Sequence, residues 1–267
     1  MPEFPSEMLI YGCGNMGGAM LRGWIAAGIA PACFTVVDPV ADGLAQGVGL
    51  HRSAAELDRT FGTVLLAIKP QMLGSLAPEL ARLLAPGALV ISILAGSETA
   101  TLSAYFPGAK IVRLMPNLAV AIGKSPLGLF SEMLDSDGKA ELDCMLAPLG
   151  TAIWLSDEAQ MDAVTALAGS GPAFVYRFID ALVQGGVATG LQKDIAAKLA
   201  LAMVEGAAEL AVMSAESPVE LAARVTSPGG TTAAGLMVLD GDHALQKLLT
   251  ATLLAARDRG TELAKGE

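Results

Sequence analysis

Gly12-Cys13-Gly14-Asn15-Met16-Gly17 is a G-x-G-x-x-G sequence set between an apolar run, Met8–Tyr11, and a helical pattern that continues to about Ala27. In a strand–turn–helix context each glycine has a use. The first makes the tight turn, the second lets main chain approach a pyrophosphate, and the third lets helix and strand pack closely. The helix start adds unpaired N–H groups and a partial positive charge that favour phosphate. A glycine-rich turn in some other α/β domain would look the same locally, so the rest of the chain has to decide. Further β-type apolar runs stand at Phe34–Val37, Thr63–Ile68, Ala88–Ile93 and Lys110–Leu114, with a helical pattern over Leu73–Leu84. Continuous apolar strands alternating with helices predict right-handed βαβ units and a doubly wound sheet covered on both faces. Leu127–Phe130 and Thr151–Leu155 read as two outer strands around a helix near Lys139–Leu146.

From Asp157 onward strand signals stop and Ala-rich helical patterns follow, over Pro172–Val187, Lys193–Met213 and His243–Ala264. Pro172 suits a first helical turn, where its missing N–H costs nothing. The change of character predicts a dinucleotide-binding domain over 1–157 and an all-helical domain over 158–267. Only 16% of the 267 residues are charged and 53% are hydrophobic, which leaves little charge for surface and points to a homo-oligomer. The net charge of −10 argues against nucleic acid as a partner. Cys13, Cys33 and Cys144 lack disulfide or metal spacing, and His51 and His243 stand far apart, so no metal is expected and reduced thiols suit the cytoplasm. Met1–Glu7 carries no signal-peptide pattern, and charges break the later apolar stretches, so no membrane span is expected.

Ligands of such a sheet gather outside the carboxyl ends of its strands. Asp38 ends the second strand, 21 residues after Gly17. It either accepts hydrogen bonds from the adenosine ribose or starts a turn with Pro39. No Arg or Lys follows within Pro39–Gly43, which leans the reading toward NADH over NADPH. Ala67-Ile68-Lys69-Pro70 follows the third strand run and is placed to meet cofactor or substrate. Ala95 and the Met115-Pro116-Asn117 turn end the next two runs in the same way. In the second half, Val225-Thr226-Ser227-Pro228-Gly229-Gly230-Thr231-Thr232 puts hydroxyls around a Pro-Gly-Gly turn that feeds a helical pattern, Ala233–Leu239. It is either an ordinary helix cap or a pocket in which main-chain N–H groups hold a small carboxylate.

Together with Ile91–Gly96, Arg113–Asn117 and Ala168-Gly169-Ser170-Gly171-Pro172-Ala173, these motifs resemble the pyrroline-5-carboxylate reductase family, from about Met8 to Leu263. The Val225–Thr232 stretch is the specific one; the dinucleotide loop is shared by many families. The resemblance implies a Rossmann-like domain joined to a helical dimerisation domain, with dimers assembled into a larger ring. It implies reduction of the cyclic imine 1-pyrroline-5-carboxylate to L-proline with NADPH or NADH, at a site to which a partner subunit contributes. Position by position it implies that Thr232 meets the imine nitrogen. Ser227, Gly229, Gly230 and Thr231 form the carboxylate pocket. Gly12, Cys13, Gly14, Asn15, Met16 and Gly17 hold the dinucleotide, and Ala67, Ile68, Lys69, Pro70, Leu94 and Ala95 wall the cofactor. Two departures stand out. Leu118-Ala119 replaces the family's Thr-Pro, and Arg52-Ser53-Ala54 stands where the family often carries Asn near the adenosine.

A threonine hydroxyl is a poor acid, so Thr232 is expected to orient the imine nitrogen or relay a proton rather than to be its source. Two other readings fit the same chain: a reductase of another cyclic imino acid, and a dinucleotide-binding sensor without turnover. A hydroxy-acid dehydrogenase would want a Lys or His acid–base in the helical half, and Lys193 and Lys198 sit in no recognisable catalytic motif.

Overall fold

The computed structural model describes residues 4–265; Met1–Glu3 of the leading segment and the last two residues lie outside it. By packing, the chain divides into two compact units: residues up to 169 together with those from 257 onward, and 170–256.

The first unit is built on one eight-stranded sheet. Its strands are β1 (Met8–Tyr11), β2 (Phe34–Val37), β3 (Gly49–His51), β4 (Phe61–Leu66), β5 (Leu84–Ser92), β6 (Lys110–Met115), β7 (Ser125–Phe130) and β8 (Gly150–Trp154), in the order β3-β2-β1-β4-β5-β6-β7-β8. The six strands from β3 to β6 pair in parallel. The helices between them are α1 (Asn15–Ala26), α2 (Leu73–Ala81) and α3 (Thr99–Tyr105), with α4 (Ser136–Leu146) between β7 and β8.

Period-two alternation sorts each strand's side chains between two cores. Met8 and Ile10 of β1, Leu65 of β4, Ile91 of β5 and Val112 and Leu114 of β6 pack against α1 and α4, around Trp24, Leu142 and Leu146. Leu9, Tyr11, Val64, Leu66, Val90 and Ile111 face α2 and α3, around Leu80, Leu102 and Phe106. Trp24 stacks on Phe34 at 5.7 Å between ring centroids and donates its indole N–H to the Met145 carbonyl at 2.9 Å, which ties α1 to α4.

The structure adds three features that the sequence reading did not give. β3 is three half-buried residues without an apolar run, so periodicity did not reveal it. α3, a seven-residue helix, was likewise unanticipated. β7 runs antiparallel to β6, Arg113 opposite Phe130 and Met115 opposite Gly128. The connection 116–124 holds only a short 3₁₀ turn, Leu118–Ile122, and is too brief for a parallel crossover. The α4 crossover then makes β8 parallel to β7.

The end of the first unit's main segment is α5 (Met161–Val164), which runs through a π-helical turn, Thr165–Gly169, before the second unit begins. The second unit contains α6 (Gly171–Ala188), α7 (Lys193–Met213), α8 (Pro218–Arg224), α9 (Thr231–Asp240) and most of α10 (Ala244–Lys265). Pro172 lies in the first turn of α6. α8, which the sequence reading missed, is opened by a capping box in which Ser217 and Glu220 satisfy each other's main-chain N–H groups. Within residues 170–256 only Ala196 and Ala200 are buried, while Leu210, Val212 and Met213 are 68%, 86% and 84% exposed.

Candidate functional site

All six parallel strands end at one edge of the sheet, and sequence order reverses at β1, which has β2 on one side and β4 on the other. In open sheets of this kind a ligand binds at such a reversal, here the carboxyl ends of β1 and β4. The glycine loop sits there. Gly12 has φ +94°, a conformation in which an L side chain is strained, and a Cβ on it would lie 2.6 Å from the Ala67 carbonyl oxygen. A Cβ on Gly17 would lie 2.4 Å from the Gly12 oxygen. Gly14 is the opposite case: a Cβ there would meet nothing within 4 Å. It is the N-cap of α1 and makes no side-chain cap, so the first N–H groups of the helix have no such acceptor. Two glycines thus close the turn, and the third leaves bare main chain beside free donors. That is a cradle for a pyrophosphate, and the residues present fit a dinucleotide.

Asp38, at the end of β2, is 8% exposed. Its carboxylate accepts from the Cys13 amide at 2.7 Å through one oxygen, and from the Val40 and Ala41 amides, each at 2.8 Å, through the other. Burial pushes its carboxyl upward, but these three N–H donors and the nearby Arg52 guanidinium outweigh that and hold it below the usual 3.8. Of the two sequence readings of Asp38, the turn is the one these contacts display. Asp38 does start the turn with Pro39, and it also clamps the glycine loop to the second strand. Arg52, just past β3, donates Nη1–H to the carbonyl oxygens of Asp38, at 3.4 Å, and Ala41. The sequence reading looked for a basic residue only in the contiguous stretch after Asp38. Arg52 arrives from the neighbouring strand instead, at the position the family resemblance already sets near the adenosine.

Ala67 is half-buried and its amide donates to the Tyr11 carbonyl at 2.8 Å, which brings the loops after β1 and β4 together. Lys69 and Pro70 are exposed at the same edge, and Ile68 packs against the core. Leu94 is 3% exposed, its side chain in the α2/α3 core, so only its main chain is available to a ligand; Ala95 beside it is exposed. Asn117 caps the 3₁₀ turn by accepting from Ala119 at 2.9 Å and donates to the Ala168 carbonyl at 3.0 Å. Leu118, at the departure from Thr-Pro, is 58% exposed.

One further charged centre of the first unit was not singled out from sequence. Arg113 of β6, 5% exposed, pairs with Glu158 at 2.8 Å. Glu158 also accepts from the Thr99 amide and hydroxyl, both at 2.7 Å. No group of three or more His, Cys, Asp or Glu among the described residues is arranged to hold a metal.

In the second unit, Thr226 spends its hydroxyl on the Ala222 carbonyl at 2.6 Å, which ends α8. Gly229 turns the chain with φ +70°, and the Gly230 amide donates to the Ser227 carbonyl at 3.0 Å. Gly230 is the N-cap of α9 and offers no side-chain acceptor to the helix. A Cβ on it would stand 2.8 Å from Ser227 Oγ, so glycine is what lets that hydroxyl lie against the helix start. Ser227, Thr231 and Thr232 are exposed. The turn therefore presents the opening N–H groups of a ten-residue helix with three hydroxyls around them, a donor set suited to a carboxylate. The dinucleotide elements lie in the first unit and this turn in the second.

Comparison with known proteins bears on both units. A family model described as "Pyrroline-5-carboxylate reductase dimerisation" matches residues 158–263, and one described as "NADP oxidoreductase coenzyme F420-dependent" matches 8–96. The pyrroline-5-carboxylate reductase of Pseudomonas aeruginosa is 36% identical over 266 residues, covering 97% of each chain. Among solved structures, a pyrroline-5-carboxylate reductase from Coxiella burnetii superposes with a TM-score of 0.89 at 33% identity, over 97% of this chain and 98% of that one. The Plasmodium falciparum pyrroline carboxylate reductase with NADP bound gives a TM-score of 0.85 at 27% identity, over 98% and 100%.

Proposed function

The chain belongs to the pyrroline-5-carboxylate reductase family, and we propose on that footing that it reduces 1-pyrroline-5-carboxylate to L-proline with hydride from NADPH or NADH, the last step of proline biosynthesis. The observation that carries this is a likeness running over 97% of the chain, and so through both units. Bound reduced nicotinamide supplies the hydride. The chain's own residues bind, orient and protect. Gly12–Gly17, with Asp38 clamping the loop, hold the dinucleotide; the main chain of Ile68 and Leu94, with Ala67, Lys69, Pro70 and Ala95, lines the same strand edge. Residues 1–157 carry this role and 158–267 carry substrate binding and self-assembly.

The N–H groups at Gly230 and Thr231, with Ser227 and the left-handed turn at Gly229, hold the substrate carboxylate. The helix dipole favours that charge by up to about 2 kcal/mol in a partly buried setting. Thr232, one residue into α9, directs its hydroxyl at the imine nitrogen and orients it. Removing that hydroxyl as Thr232→Ala is expected to lower kcat by about tenfold or more while leaving cofactor affinity unchanged. A variant with full turnover would remove Thr232 from the chemistry. The activity itself is tested by oxidation of NADPH or NADH at 340 nm with the five-membered imine acid, with the six-membered one as comparator. No oxidation with either would favour a binding protein without turnover.

The chain assembles with itself through the helical region. A helical unit with two buried alanines and a wealth of exposed Leu, Val and Met has no core of its own until another copy covers it. We propose dimers built further into a ring, in the cytoplasm, with no nucleic acid or membrane as partner. No described helix is long and apolar enough to cross a membrane. The thermal midpoint is expected to rise by several degrees between 0.1 and 10 µM protein, because a hundredfold change in concentration shifts an assembly equilibrium by about 2.7 kcal/mol. A midpoint independent of concentration would argue for a self-sufficient monomer, and sedimentation would give the size of the ring.

A further inference from the structure

The geometry points to Arg52 as the residue that selects the phosphorylated dinucleotide, by taking the 2′-phosphate of the adenosine ribose on the free edge of its guanidinium. This rests on the dinucleotide reading of the glycine loop and adds to it a choice that Asp38, taken alone, would make the other way.

In a dinucleotide fold the adenosine ribose lies at the end of the second strand, where an acid receives the hydroxyls or a nearby Arg receives a phosphate. Asp38 is the acid at that place, but its carboxylate is already engaged by three main-chain N–H groups from Cys13, Val40 and Ala41. It works as an internal clamp, an ionised carboxylate whose charge is held by those three N–H donors and balanced by the Arg52 guanidinium. Arg52 reaches the same strand end from β3. One nitrogen, Nη1, is tied to the carbonyls of Asp38 and Ala41, which fixes the plane of the group. Nε and Nη2 have no partner among the described residues, which leaves three N–H donors on one side of a group that is exposed to solvent. A guanidinium held at one end and open along the other is the arrangement that receives a phosphate in two-pronged fashion. The other carboxylate close by, Glu56, accepts from Arg52's own main-chain amide at 3.2 and 3.3 Å and pairs with His51 Nδ1 at 3.4 Å, so it is engaged away from the fork.

The test uses NADP⁺ and NAD⁺, which differ only by the 2′-phosphate, titrated calorimetrically into the full-length protein and its Arg52→Ala and Arg52→Lys variants. The parent is expected to bind NADP⁺ at least tenfold more tightly than NAD⁺. Arg52→Ala is expected to weaken NADP⁺ by that factor and leave NAD⁺ within about twofold; a point charge without the fork, Arg52→Lys, should recover only part of the preference. A parent that binds the two equally, or an Arg52→Ala protein with the preference intact, overturns the assignment. So does an equal loss for both dinucleotides, which would show that Arg52 serves only to brace the 38–41 turn. If neither dinucleotide binds the parent, the reading of the glycine loop falls, and this assignment with it.

Discussion

The Gly14→Ala protein is expected to melt where the parent melts and to bind the nicotinamide dinucleotide at least tenfold more weakly. A methyl on Gly14 would stand in open space, and the φ of −69° at this position is one that alanine adopts freely, so the unliganded protein has nothing to lose. A bound pyrophosphate does, because the second glycine is where it comes closest to main chain. Gly17→Ala is the control with the opposite signature. Its methyl would press to 2.4 Å from the Gly12 carbonyl oxygen, so overpacking of about 1–3 kcal/mol should lower the melting point as well as the affinity. Calorimetric titration and thermal melts of the two variants separate a residue that makes room for a ligand from one that makes room for the fold. If Gly14→Ala binds the dinucleotide as well as the parent, the loop does not cradle a phosphate.

The largest effect on stability is expected at Arg113. Truncation to alanine removes the partner of Glu158 and leaves a half-buried carboxylate, its side chain 23% exposed, with only Thr99 to satisfy it, a change expected to cost about 1–3 kcal/mol. The pH dependence follows from the same contacts. Burial pushes the Glu158 carboxyl up, but the Thr99 and Arg113 donors together bring it below its ordinary 4.5. A group whose folded pKa is depressed adds stability above its unfolded pKa, and that stability fades as pH falls through the folded value. Parent and Arg113→Ala should therefore differ most near neutral pH, and the gap should close as pH falls below 4.5 and through the depressed Glu158 pKa. Guanidinium unfolding at a series of pH values measures the gap. A gap that stayed constant into acid would show that the loss comes from packing of the Arg113 stem and not from its charge.

Much of the fold was legible because the two signals it rests on are local. Continuous apolar runs located β1 and β2 residue for residue, and the strands β4 to β8 to within a few positions, since central strands such as β1 and β2, buried at every residue, are covered on both faces and so largely apolar. The same reading passed over β3 and α8, three and seven residues long, too short to carry a period. In the candidate site, the motifs were visible as motifs. What each side chain does there was not. Asp38 as a ribose acceptor and Asp38 as a loop clamp look alike in sequence, and so do a Leu94 that walls a cofactor and one whose side chain is buried in the core.

The sequence by itself showed that this chain turns a glycine loop at the head of a doubly wound sheet and continues into an Ala-rich helical half, with so little charge overall that it points to a homo-oligomer. Both are properties of neighbouring residues and of composition. Only the tertiary structure decided that β7 turns back along β6, that Arg113 meets Glu158 across 45 residues of chain, and that a guanidinium from β3 lies over the end of β2. Each of these depends on which strand lies beside which. That order is set by packing between elements distant in the chain, and it leaves no periodic mark on the residues themselves.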